Sequence, residues 1–191
     1  MNNNMYDLIK DRKEDKQLKD YLGMAPALGL VMEFGVSSGS SLKEISSSTT
    51  KHVFGFDCWE GLPENWLDSK GNPRHSKGDF KSDRPKNLPS NCILVNGLFE
   101  DSLPKFVDII SDPISFIHID CDLYSSTKKI FHHLKSFFQE GTIIAFDELL
   151  GYDGWENHEY KAFNEFLEET GFKWECVGRH GPFQYGMKLN K

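Results

Sequence analysis

Apolar and polar positions along this chain switch between two periods. Short runs dense in Val, Ile, Leu and Phe, at 28–34, 52–57, 91–96, 114–120 and 142–147, read as strands buried on both faces. Between them the spacing turns helical, over about 38–47, 103–110 and 123–138. In the last of these Ile130, Phe131, Leu134, Phe137 and Phe138 share one face, and Gly141 stands where a helix C-terminal glycine is expected. A further amphipathic stretch through Tyr160, Phe163, Phe166 and Leu167 closes at Gly171, and two strands follow near 172–178 and 183–189. Such alternation, ending in a hairpin, predicts an α/β fold: a doubly wound, mostly parallel sheet with an antiparallel C-terminal edge. Residues 5–22 read as a polar helix with a sparse stripe of Leu8, Ile9, Leu18, Tyr21 and Leu22, part of an N-terminal helical extension over 1–25 that packs on the sheet edge or the site mouth.

Periodicity vanishes between Cys58 and Ser90, where Gly61, Pro63, Gly71, Pro73, Gly78, Pro85 and Pro89 punctuate the chain. A loop longer than about 15 residues in a compact domain is usually functional or disordered. Trp59, Trp66 and Phe80 favour the first, so residues 58–90 are expected to form a lid or substrate loop. With 191 residues the chain suits one domain spanning 1–191.

Composition narrows the function. Hydrophobic residues at 38% and charged residues at 27% describe an ordinary globular protein. The net charge of −7 repels phosphate backbones and offers no basic patch to nucleic acid or anionic lipid. A small uncharged or cationic ligand fits better, and a homo-oligomer is compatible with the sequence. The first residues lack the pattern of a secretory signal and no apolar run reaches membrane-spanning length, so a cytoplasmic location is expected. Cys58, Cys92, Cys121 and Cys176 are widely spaced, which points to reduced thiols rather than a zinc or redox motif.

Four of the apolar runs stop on carboxylates: Glu33, Asp57, Asp120 and the pair Asp147 and Glu148. In a parallel sheet these ends converge on the crevice where ligands bind. After the first run, Gly35, Ser38 and Gly39 form a strand-to-helix turn able to approach a ligand, with Glu33 as an acceptor for a ligand ammonium or hydroxyl. Taken alone, the turn reads first as an ordinary strand-helix connection. Asp57, ending the second strand, is placed to take both hydroxyls of a ribose, and the two features together favour a nucleoside ligand. Glu100 and Asp101 after the third strand either face the adenine or cap a helix. Asp120, Asp147 and Glu148 crowd like charges that Mg²⁺ or another hard divalent cation would relieve. Asp122 reads as a helix N-cap, His118 as structural, and His132 and His133 as surface or packing residues.

At this point the sequence resembles the class I S-adenosylmethionine-dependent methyltransferases, and among them the macrocin O-methyltransferase-like group. The similarity runs through VMEFGVSSGSSL, VFGFDCWEGLPENW, LVNGLFEDSLP, FIHIDCDLYSSTKKIF and GTIIAFDELLGYDGWENHEYKAF. It implies a Rossmann-like sheet of seven strands, with Glu33 serving the methionine amino end of the cofactor and Asp57 its ribose. It also implies a Mg²⁺ held by Asp120, Asp147 and Glu148 against neighbouring substrate hydroxyls. The expected reaction is transfer of the sulfonium methyl to a hydroxyl of a small molecule, whether sugar, glycoside or phenolic diol, with Asp120 or the loop residue His75 accepting the proton. Two rivals stand beside it. A nicotinamide oxidoreductase would want G-x-G-x-x-G where this chain has only Gly35 and Gly39. An inert nucleoside-binding or assembly protein of the same fold would have no need of two acidic clusters.

Overall fold

The computed structural model describes residues 5–191, so the first four residues of the expected 1–25 extension lie outside it. The main sheet contains β1 (Leu30–Phe34), β2 (Val53–Asp57), β5 (Cys92–Asn96), β6 (Ile114–Ile119), β7 (Phe138–Phe146), β8 (Lys173–His180) and β9 (Gln184–Asn190). Its order is β5-β2-β1-β6-β7-β9-β8, with β9 antiparallel to both its neighbours. The helices are α1 (Met5–Ile9), α2 (Leu18–Met24), α3 (Ser40–Ser47), α4 (Phe99–Val107), α5 (Tyr124–Leu134) and α6 (Glu159–Thr170). The expected α/β architecture, with its C-terminal hairpin, is what forms.

Alternation along the strands sorts side chains between two cores. Met32, Phe34, Ile117 and Ile144 face a layer that includes Phe106 from α4, Phe131 from α5 and Phe166 from α6. Val31, Phe116 and Ile143 face the opposite layer with Leu42 and Ile45 of α3 and Tyr21 of α2. Burying each large side chain contributes about 1.5–3 kcal/mol, so the two layers together hold the sheet rigid beneath its C-terminal edge.

Local details depart from the sequence pattern. The 5–22 segment is two short helices, α1 and α2, because residues 10–17 turn aside to bridge Asp15 to Arg179 on β8. Gly141 does not end a helix. α5 stops at Leu134 and a 3-10 turn leads straight into β7, within which Gly141 adopts φ 88° beside a register shift against β6. The Gly/Pro-rich segment contains a small antiparallel ribbon, β3 (Trp66–Leu67) with β4 (Pro73–His75). Among the bonds that tie the segment down are those between the His158 ring nitrogen Nε2 and the Leu67 carbonyl (2.8 Å), the Ser125 hydroxyl and Glu64 (2.6 Å), and Trp59 Nε1 and the Ser37 carbonyl (3.0 Å).

Candidate active site

The strand order reverses between β1 and β6, and ligands in open α/β sheets bind at that switch point. The two strands leave the sheet almost touching. Gly35 has φ 90°, and a Cβ there would overlap the Asp120 carbonyl oxygen, so glycine is what lets the ends of β1 and β6 pass. Above them lies a cavity of about 450 Å³, within the usual range for small-molecule sites. Gly35, Ser37, Asp57 and Glu100 wall one part of it; Asp120, Asp122, Asp147 and Glu148 wall another; Trp66, Arg74, His75 and Phe80 from the 58–90 segment close over both.

Asp57 holds the glycine turn in shape. Its Oδ2 accepts from the backbone N–H of Val36 (2.8 Å) and Ser37 (2.7 Å), and its Oδ1 from that of Trp59 (2.7 Å). Three of the carboxylate's roughly four acceptor sites are thereby taken, and Oδ1 keeps one for a further donor. Glu100 reaches the cavity from the first turn of α4 while paired with Lys129 at 2.8 Å. The other expected cofactor residues, Glu33, Ser38, Gly39 and Asp101, do not line the cavity. Gly39 is covered by Pro85 and Leu88 of the 58–90 segment. Glu33 is fully buried inside β1, where register sets it beside His118 of β6 and its Oε1 lies 2.8 Å from Nδ1. Burial alone would lower the His118 pKa. The Glu33 hydrogen bond and charge, joined by Asp120 and Asp147, outweigh burial and raise it to about 9. The expectation of a structural His118 agrees with this buried pair.

The acids converge, though not as a single trio. Ligand atoms of His118, Asp120 and Asp147 come within 4.8 Å of one another, and so do those of Asp120, Asp122 and Glu148. Asp147 and Glu148, expected to share one set with Asp120, fall in different sets, since consecutive residues leaving β7 point to opposite sides. Gln184 of β9 donates to Asp147 Oδ1. Asp122 does not cap α5: the N-cap position is Leu123, and Asp122 stands at φ 63°, nine-tenths buried, with its side chain on the cavity. The alternation in Ile-Asp-Cys-Asp was the signal for it, as both acids of such a run can face one side. Burial and then the Asp147 charge push Asp122 up to about 7 against the opposing Glu148 hydrogen bond and Arg74 charge. Burial, Asp147 and Asp122 push Glu148 up to about 11, and burial and Asp147 hold Asp120 well above the carboxylate range. Behind them Glu159, wholly buried at the start of α6, is driven upward by burial and then by the charges of Asp122, Asp120 and Asp147. His75 is in the cavity wall, but its ring stacks on Trp66, meets Phe80 at a tilt, and has its Nδ1 3.6 Å from Asp79.

This fold is shared with solved structures. The calicheamicin methyltransferase CalS11 superposes with a TM-score of 0.68 at 21% identity, over 90% of this chain and 79% of its own. The O-methyltransferase NovP gives 0.65 at 17% identity, over 91% and 78%. An O-methyltransferase from Bacillus cereus in complex with S-adenosylhomocysteine gives 0.54 at 15% identity, over 93% and 83%. No curated protein sequence matches the chain. Residues 32–149, from β1 through the acidic wall after β7, match the model of a methyltransferase domain, and the chain belongs to that family.

Proposed function

We propose that this methyltransferase moves the methyl group of S-adenosylmethionine to a hydroxyl of a small molecule, within the macrocin O-methyltransferase-like group, in the cytoplasm. The observation that carries the reading is one cavity with two unlike ends: a glycine turn shaped by Asp57, and a wall of four carboxylates a short distance away. The first end suits a ribose and the second an acceptor oxygen. Two of the structural relatives are described as O-methyltransferases, which supports oxygen as the acceptor atom.

A divalent cation fits the acidic wall. Its donors are carboxylate oxygens, Glu148 Oε2 is buried without a partner, and burial together with the Asp147 charge pushes Asp120 and Glu148 toward their protonated forms. Asp120, common to both trios, would hold the ion, with Asp147 and Glu148 on either side of it. A bound Mg²⁺ would supply charge that favours the deprotonated acceptor oxygen. Asp122 takes the role of proton acceptor in preference to Asp120 or His75. Its side chain lines the cavity with a carboxylate oxygen within 4.8 Å of those of Asp120 and Glu148, while His75 is held by its aromatic neighbours. The lid segment excludes water and carries Trp66 to the cavity.

Incubation of the protein with methyl-labelled S-adenosylmethionine, Mg²⁺ and fractionated small-molecule pools tests the reading. A labelled methyl ether that disappears with Asp122→Asn supports it. Label found only on nitrogen, sulfur or carbon would contradict the hydroxyl assignment.

A further inference from the structure

The lid ribbon carries an arginine, Arg74, with no hydrogen-bond or ion-pair partner among the described residues. Of the four arginines, Arg12 is paired with Glu14, Arg84 donates to the Leu94 carbonyl, and Arg179 donates to the carbonyls of Gly181 and Lys10. Arg74 makes neither a hydrogen bond nor an ion pair among the described residues. Its contacts are instead aromatic: the guanidinium carbon is 5.1 Å from the Trp66 ring centroid and 5.0 Å from that of Tyr152. Both rings are buried, and Tyr152 meets Trp66 edge to face at 5.4 Å. Arg74 therefore rests on a fixed aromatic corner while lining the same cavity as the acids.

Resting a guanidinium on aromatic rings fixes its plane and leaves its N–H edges unspent. Those edges form a fork that matches carboxylate and phosphate oxygens two at a time. Its charge reaches Asp122 and lowers that acid's pKa, but none of the four acids of the wall hydrogen-bonds or ion-pairs with it, although an arginine in an acidic cavity would be expected to turn toward them. Stacking holds it away. The ribbon itself is anchored through Leu67 to His158, and Gly154 packs so tightly under Asp68 and Ser69 that a Cβ would collide with them. The arginine is thus placed from the fold and not from its own charge pairing.

We infer that Arg74 receives an oxyanion of the acceptor, a carboxylate or a phosphate, while the acceptor's hydroxyl sits at the acidic wall. This rests on the methyltransferase reading above and adds the charge of the substrate class to it. An acceptor bearing both groups would be held at two points, its hydroxyl oriented by the distance between Arg74 and the acids. A neutral sugar would lose the Arg74 anchor, and a cationic one would be repelled by it.

The probes are glucose 1-phosphate, glucuronic acid and glucose, which share a ring and differ in charge, each titrated by calorimetry into the full chain saturated with S-adenosylhomocysteine and Mg²⁺. The expected result is that at least one anionic sugar binds tenfold or more tighter than glucose. Arg74→Gln should abolish that preference, and Arg74→Lys should keep part of it, with S-adenosylhomocysteine affinity within about twofold of wild type throughout. Whether the phosphate or the carboxylate wins identifies the source of the oxyanion. Equal binding of all three sugars, no binding of any of them, or a preference that survives Arg74→Gln would overturn the assignment. Failure of S-adenosylhomocysteine itself to bind would strike the methyltransferase reading instead, so the two failures are separable.

Discussion

Glu33 and His118 face each other across β1 and β6 at 2.8 Å, both buried in the middle of the sheet. The pair joins the strand that leads to the glycine turn with the strand that leads to the acids. Removing one member of a buried pair leaves the other charged and unsolvated, so Glu33→Gln should cost about 3–5 kcal/mol in urea unfolding. With its folded pKa raised to about 9, His118 binds its proton more tightly in the native state. Its contribution is therefore complete below about pH 6.5, the ordinary histidine value, and is lost as pH rises through about 9. In chelator-treated protein the stability gap between wild type and Glu33→Gln should narrow over that window. A gap constant from pH 6 to 10 would mean that His118 is neutral.

The acidic wall predicts a second pH effect with the same sign. Asp122, raised to about 7, favours folding while protonated, and that help fades as pH climbs from the ordinary carboxylate range through about 7. Metal-free protein should lose melting temperature between pH 5 and 8, and Mg²⁺ should restore more of it at pH 8 than at pH 5. Thermal melts with and without the ion measure this; an ion effect independent of pH would argue against ligation by these carboxyls.

For turnover, Asp122→Asn should lower kcat by about 10²-fold or more, in keeping with loss of a general base. Affinity for S-adenosylhomocysteine should stay within about twofold, since Asp122 lies at the acceptor end. A parallel fall in both would show a general collapse of the cavity.

Tryptophan fluorescence separates two residues of the 58–90 segment. Trp66 lines the cavity, whereas Trp59 is buried against the α3 layer and tied to Ser37. Ligand-induced quenching should disappear in Trp66→Phe and persist in Trp59→Phe. The reverse pattern would place the ligand over the glycine turn and away from the ribbon.

Much of this was legible in the sequence because parallel strands buried on both faces leave long apolar runs, as in Ile114–Ile119, and because the strand ends carry the acids. What the pattern hid has physical causes. β3 and β4 hold two and three residues, too few for a period to show. Asp122 passes for a helix cap until its left-handed backbone is seen. Glu33 looks like a ligand contact because it ends an apolar run, yet one further strand residue, Phe34, keeps it inside the sheet. Arg74 matters through a stack with Tyr152, 78 positions away, which no local spacing reveals.

The central claim is that the turn shaped by Asp57 binds the methyl donor, and calorimetric titration with S-adenosylhomocysteine tests it most directly. Wild type should bind with one-to-one stoichiometry, Asp57→Ala should weaken binding by about five- to 150-fold, corresponding to about 1–3 kcal/mol, and Asp101→Ala, outside the cavity, should leave it unchanged. Absence of binding by the wild-type protein, or undiminished binding by Asp57→Ala in a folded sample, would contradict the account.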